Sequence, residues 1–322
     1  MRAFLYRHWF LLGLVLVVVL AALAPAIGSR GGPLHPEITV HLAVAAAFLV
    51  SGMTLPLSHL KAEAGRGRLH LFVQAFSFLL VPATVWLFLP LIGWCGGSAA
   101  LRQGFVVLAC LPTTIASCVI FTRAAGGNEP GALCNSVLGN LLGLVVTPAL
   151  LLLLLGTHGE APITAVLGQL SLEVLLPLLL GQAAQVVAGR RAAAFHLLRP
   201  LPSLFLLYLI FCVFCTTFSS PAQQGLGRDL LIALVGTCVL HVLLLVLCWW
   251  LSAWNRLGFT RGDRIAALFC ATQKTLALGV PMLSILYGHD PQLAWLTLPL
   301  ICYHPLQLVL DGVLATRLRQ RG

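Results

Sequence analysis

Residues 270–279 read C-A-T-Q-K-T-L-A-L-G, and they set four polar residues in succession, Thr272, Gln273, Lys274 and Thr275, inside an apolar run that spans 265–287. Lys274 is one of only two lysines in 322 residues. An ammonium near the centre of a bilayer costs about 2.5–3.5 kcal/mol on insertion scales. Lys274 is therefore predicted to face a cavity or a partner at a substrate or ion site. The alternatives are snorkelling to an interface and a purely structural pairing with a carboxylate.

The composition around this segment is that of a polytopic membrane protein. Hydrophobic residues make up 59% of the chain and charged residues only 9%, and the mean hydropathy is +0.99. A soluble domain has about 25% charged residues, so the fold class is predicted to be all-α and membrane-spanning. Ten apolar segments have the length that crosses a bilayer as a helix; they cover 9–26, 39–57, 69–92, 103–123, 131–155, 163–187, 203–218, 229–253, 265–287 and 292–316.

The distribution of cations indicates how these segments are oriented. A net charge of +10 can point to nucleic acid. With the N-terminus inside, however, the loops on one side hold fifteen Lys and Arg residues, and those on the other side hold three, Arg30, Arg102 and Arg228. This positive-inside bias predicts an integral protein of a plasma or inner membrane with both termini in the cytoplasm. Anionic lipid is then a sufficient partner for the basic surface, and no nucleic acid is expected.

The ten segments divide into five and five at the loop 157–162, near the middle of the chain. Because five is odd, two copies of one fold would enter the membrane in opposite senses, which is a common plan of secondary transporters. The predicted repeats are 1–157 and 158–322. The fourth segment of each half carries a polar interruption, at Pro112 in the first half and at 272–275 in the second.

The interruption in the fourth segment lies in the stretch 110–128, C-L-P-T-T-I-A-S-C-V-I-F-T-R-A-A-G-G-N. Pro112 removes a backbone donor and clashes with the preceding turn, and Thr113, Thr114 and Ser117 are expected to bond to the carbonyls thus freed. A break at membrane depth is tolerated only where protein or a water-filled cavity supplies partners. A structural proline kink is the alternative interpretation.

Other polar side chains within the spans are expected to have partners. The fifth segment carries Asn135, Ser136 and Asn140, and the third carries Ser77. Bonds of this kind between helices also serve as simple interhelical contacts without any ligand. They are candidates for a binding site because they occur in the helices beside the two interruptions.

Three further polar groups have separate interpretations. Glu173 in the sixth segment is a candidate counter-ion for Lys274, and Asp311 is expected to be satisfied by the arginines near the end of the tenth segment. His241 and His304 are expected to be hydrogen-bonded core residues rather than a proton relay. The cysteines lie mostly within spans and are expected to behave as small apolar residues.

These residues resemble the bile acid:sodium symporter superfamily. The resemblance rests on the C-x-P-x-x-x-A-S pattern at 110–117, on Gly127-Asn128 and on V-T-P at 146–148. The string T-Q-K-T-L-A-L-G-V-P-M at 272–282 is its most specific part, and it is similar to the SBF-like branch that includes solute carrier family 10 member 7. The resemblance covers nearly the whole chain.

The resemblance implies a fold and a site. It implies a panel of the first, second, sixth and seventh helices and a core of the third to fifth and eighth to tenth, with the fourth and ninth helices broken and crossing. Substrate would lie between panel and core, and sodium behind the crossing. Ser117 matches a sodium-site serine, Gln273 matches the glutamine of the ninth helix, and Ser136 matches a hydroxyl ligand if one residue is inserted before Gly127.

Three departures from the family pattern put sodium coupling in doubt. Cys118 stands where sodium-coupled members have asparagine, Phe269 stands where they have an essential glutamate, and Lys274 replaces a neutral residue. Sodium needs hard oxygen ligands, so the sodium site is expected to be degraded, with no other metal or cofactor required. An ammonium at Lys274 is expected to replace the ion and to donate its three hydrogens to Ser117, Asn135 or Gln273.

The predicted function is secondary transport of a small or amphipathic organic anion by alternating access, coupled to protons or uncoupled, and not an enzymatic activity. The alternatives are a conventional sodium-coupled symporter and a non-transporting regulator or receptor for lipid or sterol on the same fold. The predicted substrate- or ion-binding residues are Ser77, Pro112, Thr113, Thr114, Ser117, Cys118, Asn135, Ser136, Asn140, Thr272, Gln273, Lys274 and Thr275.

Overall fold

The structure is a computed structural model that describes residues 2–54, 63, 65–155, 168, 171–189, 195, 197–198, 200–219, 226–287 and 292–320. Every regular element of three residues or more in these ranges is a helix. The α-helices are α1 (Arg2–Leu23), α2 (Pro25–Gly28), α3 (Pro36–Thr54), α4 (Gly67–Ala75), α5 (Val81–Trp94), α6 (Ala99–Cys110), α7 (Ala116–Ala124), α8 (Glu129–Leu155), α9 (Leu176–Ala188), α10 (Leu201–Phe218), α11 (Leu226–Leu251), α12 (Arg261–Thr272), α13 (Leu276–Tyr287) and α14 (Leu293–Gln320). Two π-helical turns, Phe76–Leu80 and Ser171–Leu175, and a 3₁₀ turn, Asn255–Leu257, complete the set.

The helices confirm an all-helical, polytopic membrane protein. Within the described ranges, eight helices are long and apolar enough to cross a membrane, and two shorter apolar helices, Leu12–Leu23 and Ala99–Cys110, accompany them. The predicted repeat boundary at 157–158 and the cations Lys61, Arg190, Arg191, Arg199 and Arg321 lie outside the described residues. The inverted repeats and the division into panel and core stay predictions.

The chain forms two compact units. The first comprises Met1–Leu55, Gly159–Leu226 and Ala277–Thr297, and the second comprises Pro56–His158, Gly227–Leu276 and Leu298–Gly322. The second unit contains α4–α8, α12 and most of α11 and α14, and it holds all thirteen of the predicted site residues.

In the first unit, α3 and α9 pack backbone to backbone. A Cβ on Gly52 would collide with the Leu178 carbonyl oxygen, so only glycine permits this approach. The Gln182 Nε2 donates to the Gly52 carbonyl at 2.5 Å and fastens the two helices together. In the same unit, Glu173 bonds to His41 at 2.8 Å.

In the second unit, both predicted interruptions are present. α6 ends at Cys110 and α7 begins at Ala116, while α12 ends at Thr272 and α13 begins at Leu276. Local sequence fixes where α6 and α12 start. The Ser98 side chain accepts a hydrogen bond from the Leu101 backbone and caps α6, and Thr260 and Asp263 form a capping box at the start of α12.

Candidate functional site

The break after α6 leaves five consecutive backbone carbonyls, 109–113, without helical donors. Every one of them receives a hydrogen bond from another segment of the second unit. A buried carbonyl without a donor costs about 1–3 kcal/mol, so these bonds are what makes the break tolerable. The donors are Lys274 Nζ to Ala109 and Leu111 at 3.1 and 2.7 Å, Thr147 Oγ1 to Cys110 at 2.8 Å, the Thr275 backbone to Pro112 at 2.9 Å, and Asn140 Nδ2 to Thr113 at 2.8 Å.

The expectation that nearby hydroxyls bond to these carbonyls is wrong. The Thr113 hydroxyl bonds to the Cys118 thiol at 2.9 Å, and Thr114 and Ser117 turn towards Gln273. Lys274, Thr147, Asn140 and the Thr275 backbone supply the donors instead.

Lys274 is buried, with 2% of its surface exposed. Its Nζ donates to the carbonyl and the hydroxyl of Ser77, both at 3.0 Å, in addition to the Ala109 and Leu111 carbonyls. The four acceptors are neutral oxygens, and two of them belong to the last turn and the C-cap of α6, where the helix dipole concentrates negative charge. The predicted partners Ser117, Asn135 and Gln273 are wrong, and so is a pairing with Glu173, because these oxygens take the ammonium instead.

The Ser77 carbonyl is available to Lys274 because of the π-helical turn. In a regular α-helix it would accept from the Val81 backbone, but that group donates to Phe76 instead. The next candidate donor is Pro82, which has no N–H. The turn and the proline together leave this carbonyl without a helical partner, and a π-turn of this kind often marks a functional position.

Gln307 of α14 holds the backbone of Lys274. Its Oε1 accepts from the Lys274 N–H at 2.8 Å, and its Nε2 donates to the Lys274 carbonyl at 2.9 Å. Lys274 lies between α12 and α13, where its peptide groups lack helical partners. One carboxamide therefore satisfies both groups and fixes the direction of the lysine.

Gln273, the neighbour of Lys274, joins the other side of the first break to α14. Its Oε1 accepts from Thr114 Oγ1 and Ser117 Oγ, both at 2.6 Å, and lies 3.2 Å from Cys118 Sγ. Its Nε2 donates to Asp311 Oδ2 at 2.6 Å. Lys274 thus bonds to the α6 side of the first break, and Gln273 bonds to the α7 side.

Asp311 begins a buried polar chain. Its Oδ1 lies 2.9 Å from His241 Nε2, His241 Nδ1 lies 2.8 Å from the Tyr303 hydroxyl, and that hydroxyl donates to the Thr272 carbonyl at 2.7 Å. The expected role of the arginines in satisfying Asp311 is wrong, because Asp311 is fully buried and bonds to His241 and Gln273. His241 is a hydrogen-bonded core residue, as predicted.

The hydrogen count in this chain is constrained. The single hydroxyl hydrogen of Tyr303 goes to a carbonyl, which only accepts, so His241 Nδ1 must be the donor towards Tyr303. The remaining contact then contains either an ionised Asp311 with a doubly protonated His241, or a protonated Asp311 with a neutral His241. Either way, one hydrogen lies between Nε2 and Oδ1.

The predicted residues of α8 divide between two roles. Asn140 bonds to the break, whereas Ser136 Oγ donates to the Ala132 carbonyl of its own helix at 2.5 Å. Asn135 bonds to His70 Nδ1 at 3.1 Å, on the side of α4. Asn135 therefore connects α8 to α4, and Ser136 satisfies a carbonyl of its own helix. Neither contact involves Lys274 or Gln273.

The groups around Gln273, where the resemblance implies a sodium site, are of two kinds. Thr114, Ser117 and Gln273 supply neutral oxygens, but Cys118 contributes a thiol that donates to the Phe269 carbonyl at 3.3 Å. The Phe269 side chain packs in an apolar cluster with Ala125, Ile265 and Ala315. The described residues contain no group of three or more His, Cys, Asp or Glu that could hold a metal ion.

The functional residues that the sequence prediction missed share a spacing. Tyr303, Gln307 and Asp311 are buried and lie four residues apart on one face of α14. Such spacing places polar groups on one side of a helix. Within an otherwise apolar span, it is a signal that predicts an internal polar stripe.

Comparison with known proteins identifies the family of the chain. The chain matches the SBF-like CPA transporter family over residues 8–320. It is 38% identical to sodium/bile acid cotransporter 7 of Rattus norvegicus over 318 residues, and this aligned region covers 97% of this chain and 93% of the relative. It is 37% identical to the protein of that name in Danio rerio, with coverage of 96% and 92%. It is 31% identical to the putative symporter YfeH of Escherichia coli, with coverage of 100% and 96%.

Proposed function

The chain belongs to the SBF-like CPA transporter family, and we propose that it carries a small or amphipathic organic anion across the membrane without using a sodium gradient. It is an integral membrane transporter of the bile acid symporter family and not an enzyme. The observation that carries the proposal is the ammonium of Lys274, which is buried among four oxygens, two at the end of α6 and two on Ser77.

The coupling proposal follows from the chemistry of these oxygens. Carbonyl and hydroxyl oxygens are the ligands that hard cations use in proteins. Here the lysine brings its own positive charge to them, and no free ion is required to balance the C-terminal dipole of α6. In the other cluster, Cys118 and Phe269 replace a carboxamide and a carboxylate, so a sodium ion would lack its anionic ligand.

The substrate class rests on the family and on the exposed start of α7. Several relatives are named for bile acids, which are amphipathic anions. Lys274 is fully engaged by oxygens, and the hydroxyl hydrogens of Thr114 and Ser117 go to Gln273. We therefore assign direct contact with the anion to the N-terminus of α7, where Ala116 is exposed. A helix N-terminus carries partial positive charge and free N–H groups.

The proposed architecture is ten membrane-spanning helices in two inverted repeats, 1–157 and 158–322, with both termini in the cytoplasm. Alternating access would come from rocking of the panel helices against the core helices around the broken fourth and ninth segments. Transport in this scheme is either coupled to protons or uncoupled.

Flux measurements on purified protein in proteoliposomes test the proposal. Uptake of radiolabelled taurocholate and of smaller organic anions is measured with external sodium, potassium or choline at equal osmolarity, with and without a pH gradient. We expect saturable uptake at the same rate in all three salts. A saturable requirement for sodium would establish the conventional symporter instead. Ligand-induced thermal stabilisation without any uptake would support the non-transporting receptor.

A further inference from the structure

The second unit carries a groove that the transport proposal does not use, and we propose that it binds an anionic glycerophospholipid. The groove has a volume of about 810 Å³ and lies between α11 and α14, with Leu268 of α12 at its floor. Its walls include Val242, Trp249, Leu310 and Leu318. This volume falls within the range of about 300–1,000 Å³ that is typical of ligand sites.

The length of the groove matches one leaflet. Its lining residues run from Val242 to Trp250 on α11 and from Leu310 to Leu318 on α14. Eight residues of α-helix rise about 12 Å, and the hydrocarbon core of a bilayer is about 30 Å thick. One acyl chain lying along the groove would therefore stay within its own half of the bilayer.

The charged end of the groove defines the headgroup. Arg261 and Arg317 are the only charged lining residues. Arg261 Nη2 donates to the Leu318 carbonyl at 2.6 Å, which holds this guanidinium at the end of the groove. In the described part of the chain, the Arg317 side chain has no hydrogen-bond or ion-pair partner. Guanidinium groups bind phosphate through paired hydrogen bonds.

Two tryptophans also indicate that the charged end of the groove lies at the level of the lipid headgroups. Trp249 and Trp250 line the groove near the C-terminus of α11, and the Arg264 guanidinium lies over the Trp249 ring at 4.2 Å. Tryptophan prefers the level of the lipid headgroups. These arginines lie on the side predicted to be cytoplasmic, and that leaflet holds the anionic lipids that basic pockets between helices bind.

Native mass spectrometry of the detergent-purified full chain tests the site. Phosphatidylglycerol and phosphatidylcholine with identical acyl chains serve as probes, titrated in parallel. The first variant is Arg261→Gln with Arg317→Gln, and Arg68→Gln is the control, because Arg68 is an exposed arginine outside the groove. Val246→Trp is a second variant, which fills the groove and leaves its charges intact.

We expect the unmodified chain to bind phosphatidylglycerol more tightly than phosphatidylcholine, by about fivefold for each arginine. The double arginine variant should lose this preference, Arg68→Gln should keep it, and Val246→Trp should weaken binding of both lipids. Equal affinity for the two lipids would overturn the proposal. So would displacement of phosphatidylglycerol by taurocholate, which would assign the groove to the transported anion, or a lipid-free dimer that covers the groove.

Discussion

The Nζ of Lys274 lies 2.7 Å from the carbonyl oxygen of Leu111, the residue at the C-cap of α6. A charge from the second broken segment thus closes the end of a helix in the first. The two interruptions are parts of one hydrogen-bonded structure. A substitution in either break should therefore change the structure of the other.

Replacing Lys274 by methionine should destabilise the protein strongly. The side chain is one atom shorter and loses all of its donors, so the Ser77, Ala109 and Leu111 carbonyls lose a partner, at about 1–3 kcal/mol for each one left unsatisfied. Thermal unfolding in detergent measures the loss. Leu108→Met, a buried change of similar volume in α6, is the matched control and should cost less than about 1.5 kcal/mol.

Lys274→Arg should restore the charge but not the full stability, because a planar guanidinium cannot direct its hydrogens to four oxygens that surround a compact ammonium. Taurocholate uptake and thermal unfolding are both measured for this variant and for Lys274→Gln. Full recovery of both properties in Lys274→Arg would show that charge alone is required. The arrangement of the four oxygens around Lys274 Nζ would then not be required for stability or uptake.

Gln307→Leu should reduce both stability and uptake, because it leaves the Lys274 N–H and carbonyl without partners. Each buried unsatisfied group costs about 1–3 kcal/mol. Gln320→Leu, at the exposed end of α14, makes the same chemical change and should stay within about 0.5 kcal/mol. Similar effects of the two substitutions would contradict the role given to Gln307.

Asp311→Asn and Tyr303→Phe should both destabilise the protein. In the asparagine variant, the amide nitrogen faces Gln273 Nε2 or His241, and a doubly protonated His241 would leave one of these donors without an acceptor. The phenylalanine variant loses two bonds, one to the Thr272 carbonyl and one from His241 Nδ1, each worth about 0.5–1.5 kcal/mol. A double-mutant cycle on thermal stability should give a coupling energy of about 0.5–3 kcal/mol, as for residues in one network. Additive effects would mean that His241 does not connect the two.

Cysteine labelling tests the proposed approach of substrate to the first break. In a background without the ten native cysteines, Ala116→Cys should react with a hydrophilic thiol reagent, because Ala116 lies at the start of α7, where we propose that the anion binds. Ala271→Cys is the matched control, since Ala271 is fully buried in α12. Saturating taurocholate should slow the reaction at position 116. Unchanged labelling there would remove α7 from the proposed binding site.

Reporter fusions test the predicted orientation. Fusions after Gly322 and in the loop 60–68 should report the cytoplasm, and fusions near His158 or His289 should not, because fifteen of the cations outside the apolar spans fall on one side. An external C-terminus would overturn the assignment of ten spans.

The sequence predicted the membrane-spanning class, the two interruptions and the burial of Lys274 against a partner. The partners themselves were missed for a physical reason. Ser77, Ala109 and Leu111 bond through backbone oxygens, and which carbonyls are free depends on where a helix breaks or widens. Asp311 was misassigned because it is close to arginines along the chain, although its helical face is shared with Gln307 and Tyr303.

The π-helical turn Phe76–Leu80 also has a consequence for how related chains are aligned. Such a turn amounts to an α-helix with one extra residue, and each residue of an α-helix turns the chain by about 100°. Removing Phe76 would close the turn, return the Ser77 carbonyl to the Val81 N–H and rotate α5 relative to α4. A relative with an uncharged residue in place of Lys274 would have no use for the extra residue. A single-residue gap at this point in an alignment would then mark loss of the lysine site rather than an error in placing the gap.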